Sequence, residues 1–362
     1  MLSLDQIDCL LRPYSEELGM VLSEVPMNDT ICRFHADMGG IPAQAILNRL
    51  YQECFGEKPY CQPWDYAISK RYFQQEIPGR VIYSDFEPHE DELKNLDSAE
   101  KILILGHHQP RGEMESYQQR EGVLYFNPRL CLEANGDGDK GVPISYLISQ
   151  AAENLGCSSP ILTYIGLRSY GFLKHADDYA RKNNLRISKR LVDSAISRML
   201  LYSSYRISSA NEVVESLSSV SELQDLIDIS GRYSAKKLER QRNLEIGRAI
   251  INSHSIREAP GVQVFELETK FESVKPHIYR LADACYSVGN DVAIISRQGN
   301  SKARVSIRSM RKGLNVGMAL EEFFSGKDIP GTEWGGHESS GSFACEISDL
   351  DSILENFVRE AC

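Results

Sequence analysis

The run Ile102-Leu103-Ile104-Leu105 carries no polar residue on either face, and it stops at Gly106-His107-His108-Gln109-Pro110. A strand apolar at every position is buried on both sides, which suits a parallel sheet covered by helices better than a half-solvated antiparallel one. In open α/β sheets, ligands bind just outside the carboxyl ends of the strands. Two adjacent histidines at such an end point to a metal or phosphate site.

The rest of the N-terminal half repeats this pattern. Thr30-Ile31-Cys32-Arg33-Phe34 reads as a strand ending at His35-Ala36-Asp37-Met38-Gly39-Gly40, and Ile41 to Tyr51 as a helix with Pro42 in its first turn. Arg80 to Ser84 reads as a strand ending on Asp85, and Val123 to Phe126 as another before Asn127-Pro128. After a Gly/Asp-rich stretch, Pro143 to Leu155 is helical, and Ile161 to Ile165 is a short apolar run before Gly166. Upstream, Ile7, Leu10, Leu11, Leu18 and Leu22 predict a helix or two over 3–24, interrupted near Pro13. Strands alternating with helices predict βαβ units and a mostly parallel sheet.

From Phe172 to Ala259 the pattern is helical and polar. Ser230 to Ser253, rich in Lys, Arg, Glu and Gln, reads as a long exposed connecting helix, punctuated by Pro260-Gly261. A second, smaller α/β unit follows. It has a strand over 262–267, a helix within 273–288, and strands over 291–296 and 302–309 around Arg297-Gln298-Gly299-Asn300. A helix within 313–324, a Gly- and Ser-rich stretch over 331–343 and an amphipathic helix over 350–361 complete it. The predicted organisation is 1–171, a helical region with a connecting helix over 172–259, and 260–362, which a chain of 362 residues can support.

Composition narrows the function. A net charge of −11 excludes a broadly basic nucleic-acid binder but leaves room for a local basic groove. The nine cysteines form no CxxC pair, so they read as reduced thiols rather than zinc ligands. No apolar run reaches the roughly 18 residues of a membrane span. Met1-Leu2-Ser3-Leu4-Asp5 lacks the start of a signal peptide, so a cytoplasmic location is expected.

Three strand ends carry metal-ligand chemistry: His35 with Asp37, then Asp85, then His107 with His108. Carboxylate and imidazole donors on neighbouring strand ends can converge on one or two divalent cations. Two cations would clamp both oxygens of an in-line phosphoester displacement. Taken singly, each residue is as well explained as a solvated loop side chain or a cap; their order, each after an apolar strand, is what points to a site. In the second unit, Ser306 and Arg308 lie on a strand, and Gly335-Gly336-His337 opens a Gly/Ser-rich stretch where backbone N–H groups could approach an anion. Arg308 could fork onto a phosphate.

In this order the motifs resemble the DHH phosphoesterase superfamily with its DHH-associated C-terminal domain, and within it the RecJ-like branch. The resemblance runs from about residue 30 to 345. It is carried most strongly by His107-His108-Gln109-Pro110, Val305 to Ser309, Gly313 to Gly317 and Gly335-Gly336-His337, with support from Asn127-Pro128 and 136–145. The family's first motif, His-x-Asp-x-Asp-Gly, reads His35-Ala36-Asp37-Met38-Gly39-Gly40 here, so Gly39 replaces its second aspartate. Its strand-end aspartate matches Asp85. Its Asp-His-His reads Gly106-His107-His108, and the aspartate four residues after the glycine of its fourth motif is Tyr170.

The resemblance implies one metal held by His35, Asp37 and Asp85. It implies a second that keeps only Asp85 and His107, since the matches to its other ligands are Gly39 and Tyr170. Losing one clamp of the displacement costs about 4 kcal/mol for a 10³-fold loss in rate. The expected function is therefore a catalytically degenerate RecJ-like protein that binds single-stranded DNA or RNA. It would hold one manganese or magnesium ion or none, and act as a replication or repair accessory beside replisome proteins such as GINS and the MCM helicase. The alternatives are an active enzyme with His35, Asp37, Asp85 and the catalytic candidates His107 and His108 as its core, whether a manganese-dependent single-strand exonuclease or an oligonucleotide or 3′-phosphoadenosine 5′-phosphate phosphatase, and a protein binding an unrelated phosphorylated ligand.

Overall fold

The computed structural model describes residues 2–24, 30–64, 79–88, 99–107, 120–133, 142–233, 235–256, 259–299, 302–325, 327, 332–337 and 339–361. These fall into two compact units, one up to Ala235 and one from Lys236.

The first unit is built on five strands: β1 (Thr30–His35), β2 (Tyr60–Trp64), β3 (Arg80–Ser84), β4 (Lys101–Leu105) and β5 (Val123–Phe126). All pair in parallel, in the order β2-β1-β3-β4-β5. The unrelieved apolar run becomes β4, an interior strand with Ile102 to Leu105 buried. The strand β2 goes beyond the sequence-based expectation. Pro63 within Tyr60-Cys61-Gln62-Pro63-Trp64 argues against a central strand, but β2 is the edge, where proline costs no ladder bond.

Among the described residues, nine helices accompany this sheet: α1 (Leu4–Glu24), α2 (Gly40–Phe55), α3 (Pro128–Glu133), α4 (Ile144–Asn154), α5 (Pro160–Ser169), α6 (Leu173–Lys182), α7 (Lys189–Tyr205), α8 (Ala210–Ser218) and α9 (Leu223–Arg232). The predicted interruption near Pro13 does not occur: α1 is one helix. Its stripe Leu4, Ile7, Leu11, Leu18, Leu22 is buried on both sides of the proline, and that burial outweighs a lost hydrogen bond of about 3 kcal/mol or more. The apolar run 161–165 lies in the first half of α5. The helix α2 is central, with every residue from Gly40 to Leu47 buried. Helices α6 to α9, in the stretch read as helical and polar, share the same core through Tyr179, Met199, Leu217 and Ile229.

The second unit contains α10 (Lys236–Ile251), β6 (His254–Ser255), β7 (Val262–Glu266), α11 (Lys275–Ser287), β8 (Val292–Gln298), β9 (Lys302–Ser309), α12 (Val316–Phe324), β10 (Glu333–His337), β11 (Ser340–Glu346) and α13 (Leu350–Ala361). Its sheet runs β10-β11-β9-β8-β7-β6 and is mixed: β7 and β8 pair in parallel and the other neighbours antiparallel. The single helix expected over 230–253 is two. Helix α9 ends at Arg232, and α10 belongs to the second unit, where Ile246 and Ala249 pack with Phe265 and Leu281. Polar composition concealed this buried stripe. The Gly/Ser-rich stretch forms the β10–β11 hairpin, because Gly336 lets two backbones meet: a Cβ there would lie 2.8 Å from the Gly341 Cα and 3.2 Å from the Gly317 Cα.

Candidate functional site

The parallel ladders set the strand ends side by side. Phe34 pairs with Ser84, Ser84 with Leu105 and Leu105 with Phe126, so the next residues, His35, Asp85, Gly106 and Asn127, form one row beyond the sheet. With β1 flanked by β2 and β3, the row straddles the point where the strand order reverses, the place at which such sheets bind ligands.

Each member is held by its own element. The last ladder bond of β3 runs from the Asp85 N–H to the Leu105 carbonyl at 2.9 Å; the chain then turns at φ 71° on Asp85 itself. A non-glycine residue there costs about 1–2 kcal/mol, and aspartate tolerates it better than most. Asp37 precedes α2 and its Oδ1 accepts from the Gly39 and Gly40 N–H groups at 2.8 and 3.1 Å, so the positive end of α2 holds this carboxylate. His35 packs against Trp64 and Phe86, which stack on each other at 4.3 Å.

These elements bring His35, Asp37 and Asp85 together: one ligand atom from each lies within 4.8 Å of the others, the one such cluster among the described residues. His35 Nδ1 is 3.5 Å from Asp37 Oδ2 and 3.9 Å from Asp85 Oδ2. Asp85 Oδ1 faces His107 Nδ1 at 2.9 Å but accepts no aligned hydrogen bond among the described residues, although Asp85 is 1% exposed. A buried carboxylate oxygen in that state, beside a second carboxylate and an imidazole, fits a hard divalent cation. Burial pulls the His107 imidazole down, but the nearby carboxylates of Asp85, Glu87 and Asp37 outweigh it and hold the ring above its usual pKa.

The positions of Gly39 and Tyr170 supply no such donors. A Cβ on Gly39 would lie 2.5 Å from Asp85 Oδ2 and 3.3 Å from Asp37 Oδ1, so the two carboxylates occupy the room a side chain would need. Tyr170, at the end of α5, sets its ring edge-on to His107 at 5.0 Å. Burial first, and then the Asp85, Asp37 and Glu87 charges, push its phenol far up, so it stays neutral. His108 lies outside the described residues. Glu87, Trp64 and Phe86 escaped sequence reasoning; the only signal was that Phe86 and Glu87 directly follow Asp85.

In the second unit, the register aligns Arg308, Ser340 and His337 in one cross-strand row, and Ser306, Ser342 and Gly335 in the next. Gly336 pairs with Gly341 between them. Arg308 is no free surface arginine. Its guanidinium lies 5.6 Å over the Tyr279 ring, its Nη1 donates to the Ile307 carbonyl at 3.3 Å, and its buried Nε finds no acceptor among the described residues. Burial lowers its pKa. An arginine already desolvated, with a donor unspent, suits an anion.

No protein-family model and no curated protein matches the chain. Solved structures do. A DHH domain described as a member of the s1p family of ribosomal proteins superposes with a TM-score of 0.70 at 12% identity, over 98% of this chain and 91% of its own. RecJ from Thermus thermophilus in complex with Mn2+ gives 0.65 at 15% identity over 96% of this chain, which spans 54% of that RecJ. CDC45 from Entamoeba histolytica gives 0.57 at 10% identity, over 96% and 98%. What these proteins share with the chain is the fold. Among the described residues, no helix is long and apolar enough to cross a membrane.

Proposed function

From the DHH-type, RecJ-like fold as premise, we propose that the chain is a single-strand nucleic-acid-binding protein with one divalent-cation pocket and degenerate hydrolytic machinery, acting as a replication or repair accessory. The observation that carries this is the one-sidedness of the site. His35, Asp37 and Asp85 converge, while Gly39 offers no donor and Tyr170 puts a neutral ring beside His107. A bound manganese or magnesium ion would supply positive charge to a phosphate oxygen. His35, Asp37 and Asp85 would hold it, and the α2 N-terminus would keep Asp37 oriented. Arg308 would take a backbone phosphate on the second unit.

The accessory role and replisome partners rest on the sequence resemblance. The test incubates 5′-labelled single-stranded DNA and RNA with the full chain and Mn2+, following both retention of the strand and release of mononucleotides. Salt-sensitive retention without release is expected. Metal-dependent release abolished by Asp85→Ala would replace this reading with an active exonuclease. Co-purification of a replisome protein that survives nuclease treatment tests the partner.

A further inference from the structure

At the end of β4, Gly106 leaves room for a side chain, and another residue fills it. A Cβ on Gly106 would lie 2.6 Å from the Glu87 Cδ and 3.1 Å from its Cγ, with Oε1 closer still. The Gly106 backbone is outside the left-handed region, so space and not conformation calls for glycine. The Glu87 carboxylate is placed by specific partners. Its Oε1 accepts from the Tyr125 hydroxyl at 3.2 Å and from Asn127 Nδ2 at 3.4 Å. Asn127 is itself buried and caps α3 through the Arg129 N–H at 2.9 Å. Gly106 stands between Asp85 and Asn127 in the row beyond the sheet, so the carboxylate that fills its side-chain space borders the cation pocket.

We propose that Glu87 is a relocated carboxylate. From the end of β3 it supplies the negative charge that position 106 lacks, and it strengthens the hold of the His35–Asp37–Asp85 pocket on a divalent cation. This rests on reading that cluster as a cation site, with one ligand atom from each of its three residues within 4.8 Å of the others. Glu87 acts as a positioning and charge-supplying residue, held by Tyr125 and Asn127 much as outer-shell carboxylates tune metal sites.

Mn2+ titration of the full chain, read by the electron paramagnetic resonance of the free ion, tests both layers. Asp37→Ala is expected to abolish binding. Glu87→Gln, nearly isosteric, and Glu87→Ala are each expected to weaken it about 10-fold or more. Gly106→Asp alone is expected to disturb the site, since its side chain and Glu87 compete for one volume. Glu87→Ala with Gly106→Asp should recover most of the affinity by returning the carboxylate to β4. If Asp37→Ala binds like wild type, the cation reading fails. If Asp37→Ala abolishes binding while Glu87→Gln leaves it unchanged, or if the double variant folds but binds no better than Glu87→Ala, the relocated carboxylate is refuted. Should the double variant fail to fold, Glu87→Gln alone decides.

Discussion

At the scale of single residues, the site depends on where side chains are absent as much as on where they are present. Gly40 begins α2 against the end of β1, and a Cβ there would lie 2.9 Å from both the His35 carbonyl carbon and the His35 Cβ, with the carbonyl oxygen nearer. These atoms are fixed by the sheet and cannot step aside as a flexible side chain could. Gly40→Ala is therefore expected to cost about 1–3 kcal/mol, the usual cost of overpacking. It should also displace His35 and weaken Mn2+ binding. The urea midpoint and the Mn2+ titration together check this; an unchanged midpoint would contradict the close approach.

At the scale of elements, α10 and α11 of the second unit are joined through one buried carboxylate. Glu245 accepts from Gln241 at 2.9 Å, the Thr269 hydroxyl at 2.8 Å, the Lys270 N–H at 3.2 Å and His277 Nε2 at 2.9 Å. Burial opposes the Glu245 charge, but these four donors outweigh it and hold its pKa below the usual carboxylate value. Burial lowers the pKa of His277, more than Glu245 raises it, with Arg242 and Arg297 also disfavouring its charge. Both shifts act in one direction. The unfolded chain binds protons on His277 near pH 6.5 and on Glu245 near pH 4.3, by ordinary values of about that size, before the folded unit does. Stability from His277 is thus full above about pH 6.5 and lost as pH falls toward its folded pKa; that from Glu245 is lost below about pH 4.3. The chain has two tryptophans, and Trp334 stacks on Phe324 in the second unit. In a Trp64→Phe background its fluorescence reports that unit, and the urea midpoint is expected to fall between pH 7.5 and pH 5.5. Glu245→Ala should lower the unfolding free energy of that unit at pH 7.5 by about 2–3 kcal/mol, because three donors and a histidine lose a charged acceptor.

At the scale of the whole molecule, an acidic chain that binds single strands must do so through local basic groups. Arg308→Ala is expected to weaken binding about equally across sequences and to reduce the salt slope by about one counterion, since a phosphate contact carries no base information. Fluorescence anisotropy over a salt series measures it. An unchanged slope would remove Arg308 from the nucleic-acid surface. Its stacking on Tyr279 would then stand as a packing contact alone.

Much of this was legible in the amino-acid sequence because it is local. An all-apolar tetrapeptide such as Ile102–Leu105, stopped by a glycine, reads as an interior strand, although the apolar run 161–165 belongs to α5; ligand-type residues that follow three strands gather once those strands are parallel. His35, Asp37 and Asp85 were found that way. What folding added depends on contacts between segments far apart in the chain. The strand β2 was hidden by Pro63 until its place at the sheet edge made the proline harmless. Pro13 interrupts a sequence pattern but not α1, because burial along the whole helix outweighs one missing hydrogen bond. Gly106 reads in sequence as a lost aspartate. Only with β3, β4 and β5 side by side does it become the room in which Tyr125 and Asn127 hold the carboxylate of Glu87.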